Sequence, residues 1–190
     1  MTDAKKNHKE KATPEKQEVN HLDETEPRWF AVYTNYKREK LVHRLLTQKG
    51  IHSYLPLQRV VRRYTRKIKR LEIPLISCYI FVKIVKDEYV PVLETEHVLR
   101  FVRFSRNLIS IPEEEIDIIR RVVGEGIEVE AQPSSDEFAE GDEVEIISGN
   151  LTGLRGKLVS IEGKNRFVVD LETMGYALKM NVEPSILRKL

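Results

Sequence analysis

The period of the hydrophobic positions changes along the chain. Trp29-Phe30-Ala31-Val32-Tyr33 is an unbroken aromatic and β-branched run, which predicts a strand. Leu41, Val42, Leu45 and Leu46 then fall at spacings of one, three and four, which predicts a helix over 39–49 ending at Gly50. Ile51 to Leu55 reads as a strand that Pro56 closes. Val60 to Leu71 reads as a hairpin of two short β pieces around Tyr64-Thr65-Arg66-Lys67. Tyr79 to Val85 is nearly all apolar or β-branched, the pattern of a central strand. Glu88–Glu94 predicts a short helix and Phe101–Phe104 a strand. Ser110-Ile111-Pro112-Glu113 has the spacing of a capping box with proline in the first turn. Ile116, Ile119, Val122 and Val123 supply the buried stripe of the helix it opens. Strands mixed with two longer helices predict an α+β sandwich over 28–123, a mostly antiparallel sheet carrying helices.

A different rhythm follows. Val144-Glu145-Ile146, Lys157–Ile161, Arg166–Leu171 and Tyr176–Met180 are short strand patterns separated by glycine-bearing turns. Four or five short strands in so few residues predict a small SH3-like β-barrel over 138–190, whose closure removes exposed edges. Between the two domains, residues 124–137 are rich in turn formers and acids and hold no base, which predicts a flexible acidic linker. Residues 1–27 offer only Val19 and Leu22 as sizeable apolar side chains, and they predict a disordered charged tail.

Charge sharpens this division. The net charge of +2 over 190 residues hides a strongly uneven distribution. Residues 28–123 carry 20 Lys+Arg against 10 Asp+Glu, whereas 124–190 carry seven against 13. The basic middle is suited to a polyanion. It is densest between Arg59 and Arg70, where seven cations occupy twelve residues. That stretch suits a nucleic acid or an acidic protein surface.

The chemistry that would make an enzyme is missing from the pattern. The five histidines are scattered, the single Cys78 has no partner at catalytic or disulfide spacing, and no phosphate-binding loop or zinc spacing occurs. The expectation is a non-enzymatic protein with no cofactor and no metal. No apolar run approaches the roughly 20 residues of a membrane helix and no secretory leader is visible, so the reading is cytoplasmic and without membrane contact. Nothing suggests a coiled-coil seam, so a monomer is expected.

One motif is sharper than the rest. Val144 to Val159 reads V-E-I-I-S-G-N-L-T-G-L-R-G-K-L-V, with Gly149, Gly153 and Gly156 around Leu151 ahead of a strand. Such a loop needs positive φ at several points before it re-enters a sheet. It resembles the KOW motif of transcription elongation factors and several ribosomal proteins. Ahead of it, Trp29–Tyr33, the helix at 39–49 with Leu55-Pro56, the Pro74–Val82 segment and the Val98–Phe104 strand resemble the NusG N-terminal domain. The order of parts over 28–190 is that of NusG, and Phe101-Val102-Arg103-Phe104 and the Leu187–Leu190 end look like its specialised RfaH-like and UpxY-like paralogs. One departure is Ser77-Cys78-Tyr79, where the family usually has Pro-Gly-Tyr or Pro-Ser/Asn-Tyr. Cys78 is therefore read as a turn or core residue.

The resemblance implies a transcription elongation or antitermination factor. The positions matching the patch that binds the clamp helices of the RNA polymerase largest subunit are Tyr33, Ile76, Tyr79 and Phe81, with Tyr89–Leu93 facing the gate loop. The start of the first helix, Asn35, Tyr36, Lys37 and Arg38 with Arg44, would reach the non-template DNA strand, and Arg62, Arg63, Arg66 and Lys67 would extend that nucleic-acid contact. The KOW domain would recruit ribosomal protein S10 or Rho. The rival expectation is a ribosome-associated or general RNA-binding KOW protein. The β-branched Val144–Ile146 and Val168–Asp170 runs favour a barrel over a helical form of the second domain.

Overall fold

The computed structural model describes residues 18–64, 67–124, 127–135, 141–161 and 163–190. Its first domain is built on a four-stranded antiparallel sheet in the order β2-β5-β1-β6, with β1 Arg28–Thr34, β2 His52–Tyr54, β5 Tyr79–Ile84 and β6 Val98–Phe101. β1 and β5 pair through Trp29↔Lys83, Ala31↔Phe81 and Tyr33↔Tyr79, so these residues share one face. Phe30, Val32, Ile80 and Val82 point to the other face. There they pack with Val42 and Leu46 of α1 (Glu39–Gln48) and Val92 of α2 (Tyr89–Leu93). The Trp29 face packs with Ile116, Ile119 and Val122 of α3 (Glu113–Gly124). The expected α+β arrangement of sheet and helices is therefore present.

The hairpin is longer than its sequence pattern. β3 Leu57–Tyr64 pairs with β4 Lys67–Pro74 over eight residues each, from Leu57↔Pro74 to Tyr64↔Lys67, and among the described residues this two-stranded sheet joins no other. Only Thr65 and Arg66 connect the strands, and both lie outside the described residues.

Three expectations shift. The strand placed at Phe101–Phe104 instead runs over Val98–Phe101, because Phe104 pairs back onto Asn107 across Ser105 and Arg106, both at positive φ. Ser110 and Glu113 do not form a capping box. The Ser110 hydroxyl and Nδ1 of His21 lie 3.1 Å apart, and the Glu113 carboxylate accepts from the buried Trp29 indole N–H at 2.8 Å. A buried indole needs an acceptor, and that need overrides the local box. The segment read as a tail also carries order within its described part. Asn20 bridges Leu108, the Lys86 N–H donates to the Asp23 carbonyl, and Arg28 donates to the His21 carbonyl.

The second domain is a small β-domain of six strands in the order β12-β8-β9-β10-β11-β7. These are β7 Val129–Pro133, β8 Asp142–Ile146, β9 Arg155–Ile161, β10 Lys164–Leu171, β11 Tyr176–Met180 and β12 Leu187–Lys189. Every pairing is antiparallel. β7 comes from the stretch read as a flexible linker. Val129 and Ala131 sit opposite Met180 and Leu178 of β11, and burial of Val129 supplies the apolar gain that composition alone concealed.

Candidate functional site

The KOW loop closes on itself. The Gly153 N–H donates to the Ile146 carbonyl and the Ile146 N–H to the Leu154 carbonyl, with Leu151 buried beneath. Gly153 has φ of 82°, a conformation that only glycine adopts freely. Gly156 is required for a different reason, since a Cβ there would stand 2.3 Å from the Val168 carbonyl oxygen. Gly149, also at positive φ, begins the loop. Beside it a cavity of about 200 Å³ is lined by Ile127, Ile146, Gly149, Leu151, Val182 and Ile186.

The four positions matching the polymerase patch are brought together, and they are covered. Tyr79 is 6% exposed and Phe81 fully buried, with Ile76 buried and Tyr33 half-buried. The Tyr33 and Tyr79 hydroxyls lie 2.5 Å apart, and Arg100 stacks over the Tyr33 ring at 5.0 Å. Tyr54 stacks on Phe81, and burial pushes its phenol up to about 12. Tyr79 meets Tyr176 of the β-domain edge to face, with ring centroids 5.5 Å apart. Burial, then hydrogen bonding with Tyr33 and Tyr176, holds the Tyr79 phenol far above its ordinary range.

This face is thus shared between the two domains. One apolar cluster runs from Trp29, Tyr79 and Phe81 through α3 to Leu171, Met174 and Leu178. Two residues of α3 fasten the joint. Glu115 Oε1 accepts from the Thr173 N–H at 2.9 Å, while Glu115 Oε2 is buried without a partner among the described residues. Arg121 donates to the carbonyls of Asn150 at 3.2 Å and Thr152 at 2.8 Å, inside the KOW loop. Sequence reasoning passed over Tyr176, Glu115 and Arg121. Their partners lie on another domain, and no spacing within either segment signals a contact between them.

Beside the same face, Trp29 lies between cations. Lys83 Nζ is 5.8 Å and the Arg120 guanidinium 5.3 Å from its ring. Glu113 joins them, accepting from Lys83 at 2.8 Å and from Arg120 at 3.0 Å. The Lys83 bond above all, with those from Trp29 and Arg120, outweighs burial and lowers the Glu113 carboxyl from 4.5 to about 2.

The nucleic-acid candidates lie elsewhere on the first domain. Asn35 begins the loop into α1. Its N–H donates to the His97 carbonyl at 3.0 Å and its amide lies 3.3 Å from His97 Nδ1. Tyr36 is 66% exposed with Lys37 Nζ 5.0 Å from its ring centroid, and Lys37 takes φ of 61°. Arg38 precedes α1 without a side-chain cap, and Arg44 is exposed on that helix. Arg62, Arg63 and Lys67 are exposed on the hairpin. A groove of about 440 Å³ brings Tyr36, Lys37 and Arg62 together, whereas Arg38, Arg44, Arg63 and Lys67 do not line it. Arg66 lies outside the described residues. Lys40 also lines this groove and was not singled out in the sequence, although it is the first cation of the helix predicted there.

Cys78 occupies the tight turn before β5 with φ of 64°, and its N–H donates to the buried Glu39 carboxylate at 2.8 Å. Burial, reinforced by the Glu39 charge, raises its thiol above the ordinary value. That is the chemistry of a turn residue and not of a nucleophile. Among the described residues, no group of three His, Cys, Asp or Glu side chains could hold a metal ion, and no helix is long and apolar enough to cross a membrane.

Comparison with known proteins agrees with this architecture. Residues 27–120 match the family described as transcription termination factor nusG, and residues 140–170 match the KOW motif. No curated protein sequence matches the chain. Among solved structures, one described as domain interaction in Thermotoga maritima NusG is similar at 20% identity and a TM-score of 0.53, covering 86% of this chain and 97% of that one. The MjSpt4:Spt5 complex in conformation A is similar at 20% identity and a TM-score of 0.31, covering 85% and 97%.

Proposed function

The chain belongs to the NusG family of transcription elongation factors, and on that premise we propose that it is a bacterial antitermination factor of the specialised kind, acting at particular operons. In this reading Tyr33, Ile76, Tyr79 and Phe81 bind the clamp helices of the RNA polymerase largest subunit. Asn35, Tyr36, Lys37, Arg38 and Arg44 contact the non-template DNA strand, extended by Arg62, Arg63, Arg66 and Lys67. Differential binding to the closed, pause-resistant polymerase is the energy source. The KOW domain carries a second partner, S10 or Rho.

The observation that supports this most is the aromatic patch itself. Tyr33 and Tyr79 form a paired apolar surface whose neighbour is another domain's Tyr176 and not only their own helix. Such aromatic anchors suit an interface hot spot once exposed. Polymerase binding through them therefore requires the β-domain to move aside.

The test is co-purification of the full chain with bacterial RNA polymerase at two salt concentrations. Tyr176→Ala, which loosens the joint, should strengthen capture several-fold, and the capture should persist at the higher salt. Tyr79→Ala, with the fold intact by near-ultraviolet circular dichroism, should weaken it. Unchanged capture on Tyr79→Ala, or capture lost with salt while RNA is retained, overturns the reading in favour of an RNA-binding KOW protein. The exposed cations of the β3–β4 hairpin are the observation that favours that rival.

A further inference from the structure

Two residues of the covered patch, Ile76 and Tyr79, flank the Ser77-Cys78 turn that leads into β5, and both belong to the apolar cluster shared with the β-domain. The shape of that turn therefore fixes where both side chains stand. Cys78 makes it at φ of 64°. A residue with a Cβ is strained in this region and stays there only where its surroundings hold it. Here both backbone groups of Cys78 are held by the segment that ends β1 and begins α1. Its carbonyl accepts from the Thr34 N–H at 2.9 Å, and its N–H donates to Glu39 Oε1 at 2.8 Å. The first bond is backbone to backbone and is open to any residue at 34. The second depends on one side chain. Glu39 is buried, and its side-chain hydrogen bond among the described residues goes to Cys78 alone. It is carried on α1, which Val42 and Leu46 anchor against the sheet face opposite Tyr79.

We propose that Glu39 is a positioning residue: it keeps Cys78 left-handed and thereby sets Ile76 and Tyr79 where the β-domain meets them. Without the carboxylate the turn relaxes to negative φ, Ile76 and Tyr79 shift, and Tyr79 loses its edge-to-face contact with Tyr176. Glu39 thus governs how often the joint opens while making no hydrogen bond across it. Linkage makes the effect reciprocal, so a joint that opens must loosen the Glu39–Cys78 bond in turn. Glu39 plays this part whatever Tyr79 binds once exposed, and the role stands apart from the polymerase reading.

The experiment is amide hydrogen exchange by NMR on the full chain without any partner. The Thr173 N–H donates to Glu115 across the joint, so its exchange reads joint opening, whereas the β9–β10 ladder reads unfolding of the β-domain. Glu39→Ala should speed Thr173 exchange about tenfold, the size of a lost hydrogen bond to a charged group, and leave the β9–β10 ladder unchanged. Cys78→Gly alone should leave Thr173 as slow as in wild type, because glycine adopts positive φ freely. Glu39→Ala combined with Cys78→Gly should return Thr173 to within about threefold of wild type, since the turn then needs no carboxylate to hold it. Ile84→Val thins the buried core at the far end of β5 and should change Thr173 exchange roughly twofold or less. Tyr176→Ala should speed exchange of the Cys78 N–H itself. Unchanged Thr173 exchange in Glu39→Ala would overturn the proposal. So would a double variant as fast as Glu39→Ala, which would make Glu39 a packing residue, or an equal effect from Ile84→Val, which would make the loss one of general stability. An unmoved Cys78 amide in Tyr176→Ala would break the reciprocity and overturn it too. Should Glu39→Ala lose the near-ultraviolet signal of its fold, Glu39→Gln keeps the volume with a weaker acceptor. It should speed Thr173 exchange by a smaller factor that Cys78→Gly again reverses, and no reversal would overturn the assignment. Polymerase capture is not read, so failure here leaves that reading standing, and the converse.

Discussion

Glu113 concentrates much of the local electrostatics of the first domain in one carboxylate. Its bonds to Lys83, Trp29 and Arg120 hold it ionised down to about 2. A depressed carboxyl contributes stability that is present above the unfolded value of 4.5 and is lost as pH falls towards 2. The Glu113 side chain is 43% exposed, so solvent screening discounts the effect, and Glu113→Gln should cost about 1 kcal/mol at pH 7. Urea unfolding followed by Trp29 fluorescence should show the gap between wild type and Glu113→Gln closing from pH 5 to pH 2. The sequence pattern assigned Glu113 to a cap instead, because a cap is a local relation and the indole lies 84 residues away. Gly156 is the opposite case, since the KOW spacing singled it out before any geometry was known. Gly156→Ala must push a Cβ into the Val168 carbonyl and the Phe167 ring. It should cost about 3 kcal/mol, the upper end of overpacking. Gly163→Ala meets open space at φ of 74° and should cost only about 1–2 kcal/mol, the left-handed penalty. Equal costs in denaturant melts would refute this account of Gly156.

Among the elements, the β3–β4 hairpin is the one that its own packing explains least. Val61 and Ile68 are exposed on it, and among the described residues it pairs with no other strand. An isolated two-stranded ribbon is marginal in water. Its amides should therefore exchange with solvent long before those of β1 and β5, by local opening that leaves the sheet intact. Lys69→Glu, placed opposite Arg62, should slow that exchange by an amount equivalent to roughly 0.2–1 kcal/mol, and unchanged protection would contradict the pairing argument. The hairpin was legible in the chain because Val60 to Leu71 alternates around a turn, although its full length was not. Leu57 and Pro74 pair at its base without any β pattern to announce them. β7 escaped for a related reason. Its Val129-Glu130-Ala131-Gln132-Pro133 looks like linker by composition, and only β11 alongside makes it a strand. α1, α3 and β5 were readable because their apolar stripes are long enough to fix a period within the segment itself.

At the level of the whole molecule, the joint between the domains combines tight and loose features. Tyr79 against Tyr176 and the shared apolar cluster hold it closed, while the unpartnered Glu115 Oε2 is a standing cost there. The pH dependence lies on the alkaline side. Tyr79 has its folded value raised, so the stability it contributes is present below its ordinary value of 10.0 and is lost as pH rises beyond that. Small-angle scattering should show the chain expanding above about pH 10 before either domain unfolds, and Tyr176→Ala should already be expanded at neutral pH. A wild-type profile that stays compact until global unfolding would refute this. Two domains in this order were legible from the change of rhythm near residue 124 and from the KOW glycines. Their contact was not, because each surface reads as ordinary core within its own segment. β7 bears on what happens after the domains separate. Only residues 125–128 lie between α3 and β7, a tether of at most about 14 Å when extended. With β7 zipped in place, the released domain stays at a high effective concentration over the face it left, and reclosure outcompetes weak ligands. Peeling β7 from β11 lengthens the leash to residues 125–141, about 58 Å at full stretch. A ligand that captures the unzipped strand edge would thus act as a timer, setting how long the molecule stays open by setting the length of its own tether.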